Sequence, residues 1–161
     1  MKKYLLILLA LTAGMFVSCN KDDSAQSNYV FYEPVMTWGI GMSETRSAMS
    51  KMTDWVEDTE MSERNTLVFE NKKNEAAQIS YGFESGYMVE CSVSYLECND
   101  KFSQMKDDWA KKLNLVWRET TILGRTVYVA ECISKECTVS AQMGNASGFD
   151  YMIISFQKIP D

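Results

Sequence analysis

Five cysteines are the side chains with the most reactive chemistry in this chain of 161 residues. Four of them lie in segments whose apolar residues alternate as in strands: Cys91, Cys98, Cys132 and Cys137. Six and four residues intervene within the two successive pairs, so the spacing does not fit the close C-x2-C pairs of a zinc site. Cys132 and Cys137 oppose each other if their segments form a hairpin, which makes a disulfide between them one prediction. Disulfides between the two halves of the chain and buried free thiols are the alternatives.

The chain contains no histidine, which excludes Ser-His-Asp catalysis, Cys-His catalysis and histidine-ligated metal sites. The segment 39–41 lacks the third glycine and the lysine of a phosphate-binding loop. Acidic residues occur in two groups: Asp54, Glu57, Asp58 and Glu60, and the pair Asp107 and Asp108. A carboxylate-dependent hydrolase is the enzyme they would suit, but both groups lie on polar segments that favour a solvated surface. We therefore predict no enzyme, no cofactor and no metal.

The first 18 residues have the order of an export signal. Lys2 and Lys3 give a positive start, residues 5–17 are almost all apolar, and a small residue, Ser18, precedes Cys19. The apolar run is shorter than the about 20 residues of a membrane-spanning helix, which favours cleavage over an uncut anchor. The segment 16–19, Phe-Val-Ser-Cys, resembles the lipobox of bacterial lipoproteins. That resemblance implies that residues 1–18 are removed and that Cys19 becomes the acylated first residue, with lipid chains that anchor the protein stably.

The residues after Cys19 indicate where the anchored protein is sent. Lys21, Asp22 and Asp23 resemble the acidic export tag that directs lipoproteins of one Gram-negative phylum to the outer face of the outer membrane. A merely polar tether is the alternative. Residues 24–28 show no apolar periodicity, and 19–33 are predicted as a flexible tether before one domain at 34–161. The predicted location is the outer membrane, lipid-anchored, and the cell surface if the tag acts as one.

Charge limits the classes of partner. The net charge of the chain is −6, and the loss of Lys2 and Lys3 with the signal would leave the mature protein at −8. Nucleic acid and anionic lipid headgroups both favour basic surfaces, so neither is a predicted partner. The membrane is contacted through the N-terminal lipid, and a protein or small-molecule partner of the domain stays open.

Apolar spacing predicts a helix followed by strands in the first half of the domain. The helix starts near Ser43, and its buried stripe comprises Thr45, Met49, Met52 and Val56. Three strands follow, at 66–70, 77–84 and 87–98. A three-residue loop at 84–86 would pair Phe83 with Tyr87 and bring the apolar residues of the last two strands onto one face.

The same order of elements is predicted for the second half. A helix follows Asn99 or Asp100 and carries one apolar stripe: Phe102, Met105, Trp109 and Leu113. Residues 115–121 fit a strand, a connector or a continuation of the helix. A hairpin of 126–133 and 136–143 pairs Cys132 with Cys137, and 151–158 forms the last strand.

These elements predict an α+β fold with a single antiparallel sheet of about six to eight strands and two helices on one face. Two α-β-β-β units, at about 36–98 and 99–161, would build it. The layout resembles the tandem helix-plus-sheet folds of small secreted binding proteins, such as beta-lactamase inhibitor protein and the small lipoprotein of the outer-membrane assembly machinery. The resemblance implies a binding role rather than catalysis.

The predicted function is a lipid-anchored, non-catalytic binding or assembly module of the cell envelope, and a secreted-type enzyme inhibitor is the alternative. The contact surface would be the sheet face without helices, which carries Ser80, Gly82, Val127 and Val129. Trp38 and Trp55 are candidate binding aromatics because tryptophan is favoured at interaction hot spots. Packing of both rings in the helix–sheet core is the alternative for them.

Overall fold

The computed structural model describes residues 29–146 and 148–160. The predicted signal at 1–18, the lipidation residue Cys19 and the tag residues Lys21, Asp22 and Asp23 lie outside the described residues. The predicted single domain at 34–161 is described almost throughout, together with the last five residues of the predicted tether.

Two α-helices, eight strands and two single-turn 3-10 helices, at Asn99–Lys101 and Ile133–Lys135, form the regular structure of the described chain. The first half contains helix α1 (Met42–Met49) and strands β1 (Trp55–Glu57), β2 (Thr66–Asn71), β3 (Asn74–Glu84) and β4 (Tyr87–Leu96). The second half contains helix α2 (Phe102–Leu113) and strands β5 (Arg118–Ile122), β6 (Arg125–Cys132), β7 (Cys137–Ala146) and β8 (Phe149–Lys158). Neither described helix is long and apolar enough to cross a membrane.

The eight strands form one antiparallel sheet in the order β1-β2-β3-β4-β8-β7-β6-β5. This confirms the predicted α+β class and the single antiparallel sheet, at the upper end of the predicted strand number. The last strand, β8, lies in the middle of the sheet, where it pairs with β4 on one side and β7 on the other. Each half therefore contributes four neighbouring strands, and the two halves meet along the β4–β8 pair.

The first unit differs from the predicted α-β-β-β pattern because its helix is short and a fourth strand follows it. Helix α1 ends at Met49, and Trp55–Glu57 pairs with β2 instead of continuing the helix to Val56. Backbone hydrogen bonds explain the change: Lys72 N–H donates to the Asp54 carbonyl oxygen, and Asp58 N–H donates to that of Val68. Pairing with a neighbouring strand has overridden a helical apolar spacing in this segment.

The start of α1 also lies two residues earlier than predicted. The helix begins at Met42, and Gly41 rather than Ser43 is its N-cap. The Glu44 carboxylate accepts a hydrogen bond of 2.8 Å from the Gly41 N–H, so a side chain in the first turn satisfies one of the free amides at this end.

The predicted register of the β3–β4 hairpin is wrong. Its loop has two residues, Ser85 and Gly86, both with positive φ (52° and 87°), as a type I′ turn requires. Glu84 therefore pairs with Tyr87, and a bulge at Val89 follows, where the register changes from Phe83↔Met88 to Gly82↔Glu90. Because the bulge inserts one residue, the apolar side chains beyond it return to the same face without the three-residue loop.

The second half follows its predicted pattern more closely. The hairpin of β6 and β7 pairs Cys132 with Cys137, Ala130 with Val139 and Tyr128 with Ala141, as predicted. Helix α2 buries the predicted stripe of Phe102, Met105, Trp109 and Leu113. The ambiguous segment 115–121 divides into a connector and strand β5, so this half also has four strands after its helix.

One hydrophobic cluster joins both helices to the strands. It includes Met49 of α1 and Trp109 of α2, together with residues from β2, β3, β4, β6, β7 and β8. The N-terminal segment, residues 29–41, packs against the same cluster with the side chains of Tyr29, Phe31, Tyr32, Val35, Met36, Trp38 and Ile40. Residues 29–33, which the sequence pattern assigns to the flexible tether, therefore lie on the core in the structure.

Hydrogen bonds fix the path of the N-terminal segment along β4. The Tyr95 hydroxyl donates to the Val30 carbonyl oxygen at 2.8 Å, near the end of β4. Gly39 N–H donates to the Met88 carbonyl oxygen at 3.1 Å, near the start of β4. The segment therefore runs antiparallel to β4 and enters the fold at the end of the sheet opposite the β3–β4 turn.

Candidate functional site

The side of the sheet that faces away from the hydrophobic cluster carries a row of four serines on its four central strands. Ser80 pairs with Ser92, Ser92 with Ser155, and Ser155 with Ser140, so the row crosses β3, β4, β8 and β7 without interruption. We call this side of the sheet the polar face. The serines lie there because successive side chains of a strand point to opposite faces, and the apolar residues on either side of each serine point to the cluster.

Polar side chains on this face meet one another, and some keep unused hydrogen-bonding groups. The hydroxyl oxygens of Ser80 and Ser92 are 2.7 Å apart. Gln78 donates from Nε2 to the Glu70 carboxylate at 3.2 Å, while its own Oε1 is buried without a hydrogen-bond partner. Oε1 of Gln142 is buried and unpaired as well. Unpaired buried acceptors are uncommon in folded proteins, so these two amides mark the face as one that can accept further hydrogen bonds.

Two glycines on the polar face make room for large neighbours. A Cβ atom at Gly82 would clash with the carboxylate of Glu90, and one at Gly144 would clash with the phenol ring of Tyr151. The Glu90 and Tyr151 side chains therefore lie flat across the adjacent strands. Arg125 donates to the Tyr151 hydroxyl at 3.0 Å and holds that ring in place.

Glu90 is the strongly perturbed acid of the described chain. Only 7% of the residue is exposed, and burial, helped by the nearby charge of Glu84, raises the pKa of its carboxyl to about 7. A carboxyl whose pKa is higher in the folded than in the unfolded state binds its proton more tightly when folded. As the pH rises from the ordinary pKa of a glutamate through about 7, the unfolded chain loses this proton before the folded chain does. The contribution of Glu90 to the free energy of unfolding therefore falls over this pH range.

The two candidate tryptophans have packing roles in the structure. Trp55 is 8% exposed, and its ring meets that of Tyr32 edge-on with centroids 5.1 Å apart. Trp38 packs against the hydrophobic cluster, and its indole N–H donates to the Lys135 carbonyl oxygen at 2.6 Å. Trp38 thus connects the N-terminal segment to the β6–β7 turn, and the structure places neither ring on the polar face.

Three acids of the first group, Asp54, Glu57 and Asp58, take part in ion pairs and turns. Arg46 makes two hydrogen bonds of 2.8 Å to the Glu57 carboxylate, which lower the pKa of that carboxyl. Asp54 pairs with Lys73 at 2.9 Å, and Asp58 accepts hydrogen bonds from two backbone amides of the following turn. In the described part of the chain, no three histidine, cysteine or acidic residues are grouped as a metal site would need.

The four described cysteines are buried thiols in the structure. Cys132 and Cys137 are direct cross-strand partners, as predicted. Burial is the main reason that the pKa of the Cys137 thiol is raised to about 12, and the neighbouring Cys132 adds to the shift. The Cys137 thiol therefore stays protonated and unreactive once the chain has folded.

We expect Cys132 and Cys137 to form a disulfide when the chain folds in an oxidising compartment, because their positions allow close approach of the two sulfurs. The measurement is alkylation of the unfolded, unreduced protein followed by mass spectrometry. Cys91 and Cys98 serve as controls within the chain and should take the label. Equal labelling of all four cysteines would contradict the prediction.

The sequence pattern locates the face but not its most informative residues. It places Ser80, Gly82, Val127 and Val129 on the sheet face without helices, and their register partners lie on the polar face. The same alternation is enough to find Ser92, Ser140 and Ser155, since each lies between two buried apolar residues of its strand. It is not enough to find Glu90, because the position of that residue depends on the bulge at Val89.

Comparison of the chain with protein-family models, with curated proteins and with solved structures gives no match.

Proposed function

We propose that this protein is a lipid-anchored, non-catalytic binding module of the cell envelope that contacts its partner through the polar face. The observation that carries the proposal is the row of four serines on adjacent central strands, accompanied by two buried amide oxygens without partners. Small hydroxyl side chains leave room for another molecule to approach the sheet, and each of the four serines is only 4–6% exposed in the structure. The free acceptors would gain hydrogen bonds from a partner that carries donors.

The arrangement of helices supports the choice of this face. Met49 of α1 and Trp109 of α2 belong to the same hydrophobic cluster, so we infer that both helices cover one side of the sheet. The fold would then consist of two α-β-β-β-β units, each with its helix on that side. The opposite side, the polar face, is the one that such an arrangement leaves for a partner.

Lipid attachment rests on the sequence of residues 1–23, and its test is direct. Cys19→Ser should abolish incorporation of an alkyne-tagged fatty acid and should move the protein from the membrane fraction to the soluble fraction. Cys91→Ser changes another cysteine and should keep the label. If Cys19→Ser keeps its label and stays in the membrane fraction, the proposed anchor is wrong.

The contact face can be tested by cross-linking in living cells. Thr138 lies on the polar face opposite Gln157, whereas Lys111 lies on the exposed side of α2. A photoreactive amino acid at position 138 should give a discrete adduct of higher mass after illumination, and the same group at position 111 should not. Absence of an adduct from position 138, or an equal one from 111, would count against a binding role for this face.

A further inference from the structure

One end of the polar face carries two acids around the β3–β4 turn. Glu84 pairs with Tyr87, and Gly82 pairs with Glu90, so these four residues share the polar face. Ile159 follows Gln157, the β8 partner of Glu90, by two positions. We call Glu84, Glu90, Tyr87 and Ile159 the acidic corner.

Glu90 has no counter-charge in the described chain. The residues on either side of it, Gly82 on β3 and Gln157 on β8, are uncharged. Glu84 is the charged group whose field reaches it, and that field is repulsive. The described ion pairs involve other acids: Glu33, Glu57, Asp54 and Asp100. The Glu90 side chain is 7% exposed and lies across a glycine. Because no cation lies beside it, its carboxylate is available to pair with a cation from another molecule.

Apolar side chains lie in the same corner. Tyr87 is 59% exposed and Ile159 is 39% exposed, although both belong to apolar residue types that usually pack. Exposed tyrosine is typical of protein interfaces, where tyrosine is among the residues that provide most of the binding energy. The corner also lies at the opposite end of the sheet from Val30, where the chain enters the fold.

Resting on the proposed binding role, we propose that the acidic corner is the specificity site of the polar face and that it binds a cationic side chain, a guanidinium or an ammonium, within an apolar segment of a partner protein. The cation would lie between Glu84 and Glu90, and its apolar neighbours would contact Tyr87 and Ile159. A polypeptide fits this combination because it presents a fixed positive charge beside aliphatic side chains. A guanidinium is the better fit, since it can donate to both carboxylates through separate N–H groups.

Such binding depends on the ionisation of Glu90. Only the carboxylate form attracts a cation strongly, and a pKa of about 7 makes that form the minority below neutral pH. The ionised fraction falls from about nine-tenths at pH 8 to about one-tenth at pH 6, so the apparent affinity for a cationic ligand should fall about tenfold. A bound cation should in turn lower the pKa of Glu90.

The test uses two synthetic peptides as probes. One is acetyl-Leu-Arg-Leu-amide, and the other is its uncharged analogue with citrulline in place of arginine. In amide NMR spectra of the purified protein at pH 8, the arginine peptide should shift the resonances of Gly82, Tyr87 and Glu90, and the citrulline peptide should not. Glu90→Gln should weaken binding at least about tenfold, as expected for loss of a charge-assisted contact. Glu75→Gln, an exposed acid at the other end of β3, should leave it unchanged.

The melting temperature of the Glu90→Gln protein shows whether a loss of peptide binding reflects a lost contact or a loss of folding. Glu90→Gln should melt at least as high as the parent protein at pH 8, because it no longer holds a desolvated carboxylate. Equal binding of both peptides, equal binding by Glu90→Gln, or equal affinity at pH 6 and pH 8 would overturn the proposal. If the adduct from position 138 forms as before in the Glu90→Gln protein, the polar face still binds and only the cation site is wrong. If that adduct never forms, the binding role itself fails.

Discussion

Replacing Trp109 by alanine should lower the free energy of unfolding by about 3–5 kcal/mol, the range for removing a large aromatic ring from a packed core. Trp109 is 0% exposed and lies between two aromatic rings. Its ring centroid is 4.6 Å from that of Phe31 and 4.8 Å from that of Phe156. One residue therefore joins α2, the N-terminal segment and the central strand β8, and its loss would leave a cavity among all three.

The measurement is urea unfolding followed by circular dichroism. Trp109→Phe should be clearly less damaging, because the indole N–H is buried without a partner and its loss removes no hydrogen bond. Val116→Ala is the surface control, since Val116 is 80% exposed, and it should change stability by less than about 0.5 kcal/mol. A loss below about 1 kcal/mol for Trp109→Ala would mean that the three elements do not meet at this ring.

A chain that begins at Met36 should fail to reach the native fold, whereas one that begins at Tyr29 should be as stable as the full chain. The shorter chain loses Phe31 and Tyr32, whose rings contact Trp109 and Trp55 respectively. It also removes the Val30 acceptor of the Tyr95 hydroxyl. Leaving such a buried group unpaired costs about 1–3 kcal/mol. Together with the lost aromatic packing, the loss approaches the whole stability of about 5–15 kcal/mol of an ordinary domain.

Near-ultraviolet circular dichroism and urea unfolding of the two shortened chains provide the comparison. The chain from Tyr29 is the matched control, since it lacks the predicted anchor and tag but keeps every aromatic of the N-terminal segment. Similar urea midpoints for both would show that residues 29–35 add little to the core. A large difference would move the practical start of the folded domain from residue 34 to residue 29.

The strand pattern predicts most of the sheet, and the exceptions have local causes. The pairing of Cys132 with Cys137 is predicted correctly because their hairpin contains no bulge, so alternation alone fixes its register. The prediction fails for the β3–β4 hairpin because the extra residue at the Val89 bulge reverses which side chains of β4 point to each face of the sheet. A periodicity argument assumes unbroken alternation, and nothing in the residue types around Val89 indicates the break.

Long-range pairing explains the other differences. Val56 continues a helical spacing from Met49, yet its segment is an edge strand because the backbone beside it finds partners in β2. Tyr29 and Tyr32 follow a polar segment that is typical of a tether, yet both rings pack against Tyr95. In each case the deciding contact comes from a residue distant in sequence, which a local pattern does not contain.

The central position of β8 has a consequence for the way the protein is made. Synthesis runs from the N-terminus, so the first four strands and then β5, β6 and β7 exist before residues 149–158 are available to join β4 to β7. Until then β4 and β7 each present an open edge whose unpaired amides can capture a strand from another chain. Truncation within the final strand would therefore leave one sheet of four strands and one of three, each with an unpaired edge strand. We therefore expect a chain that lacks residues 149–158 to aggregate more readily than one that contains them.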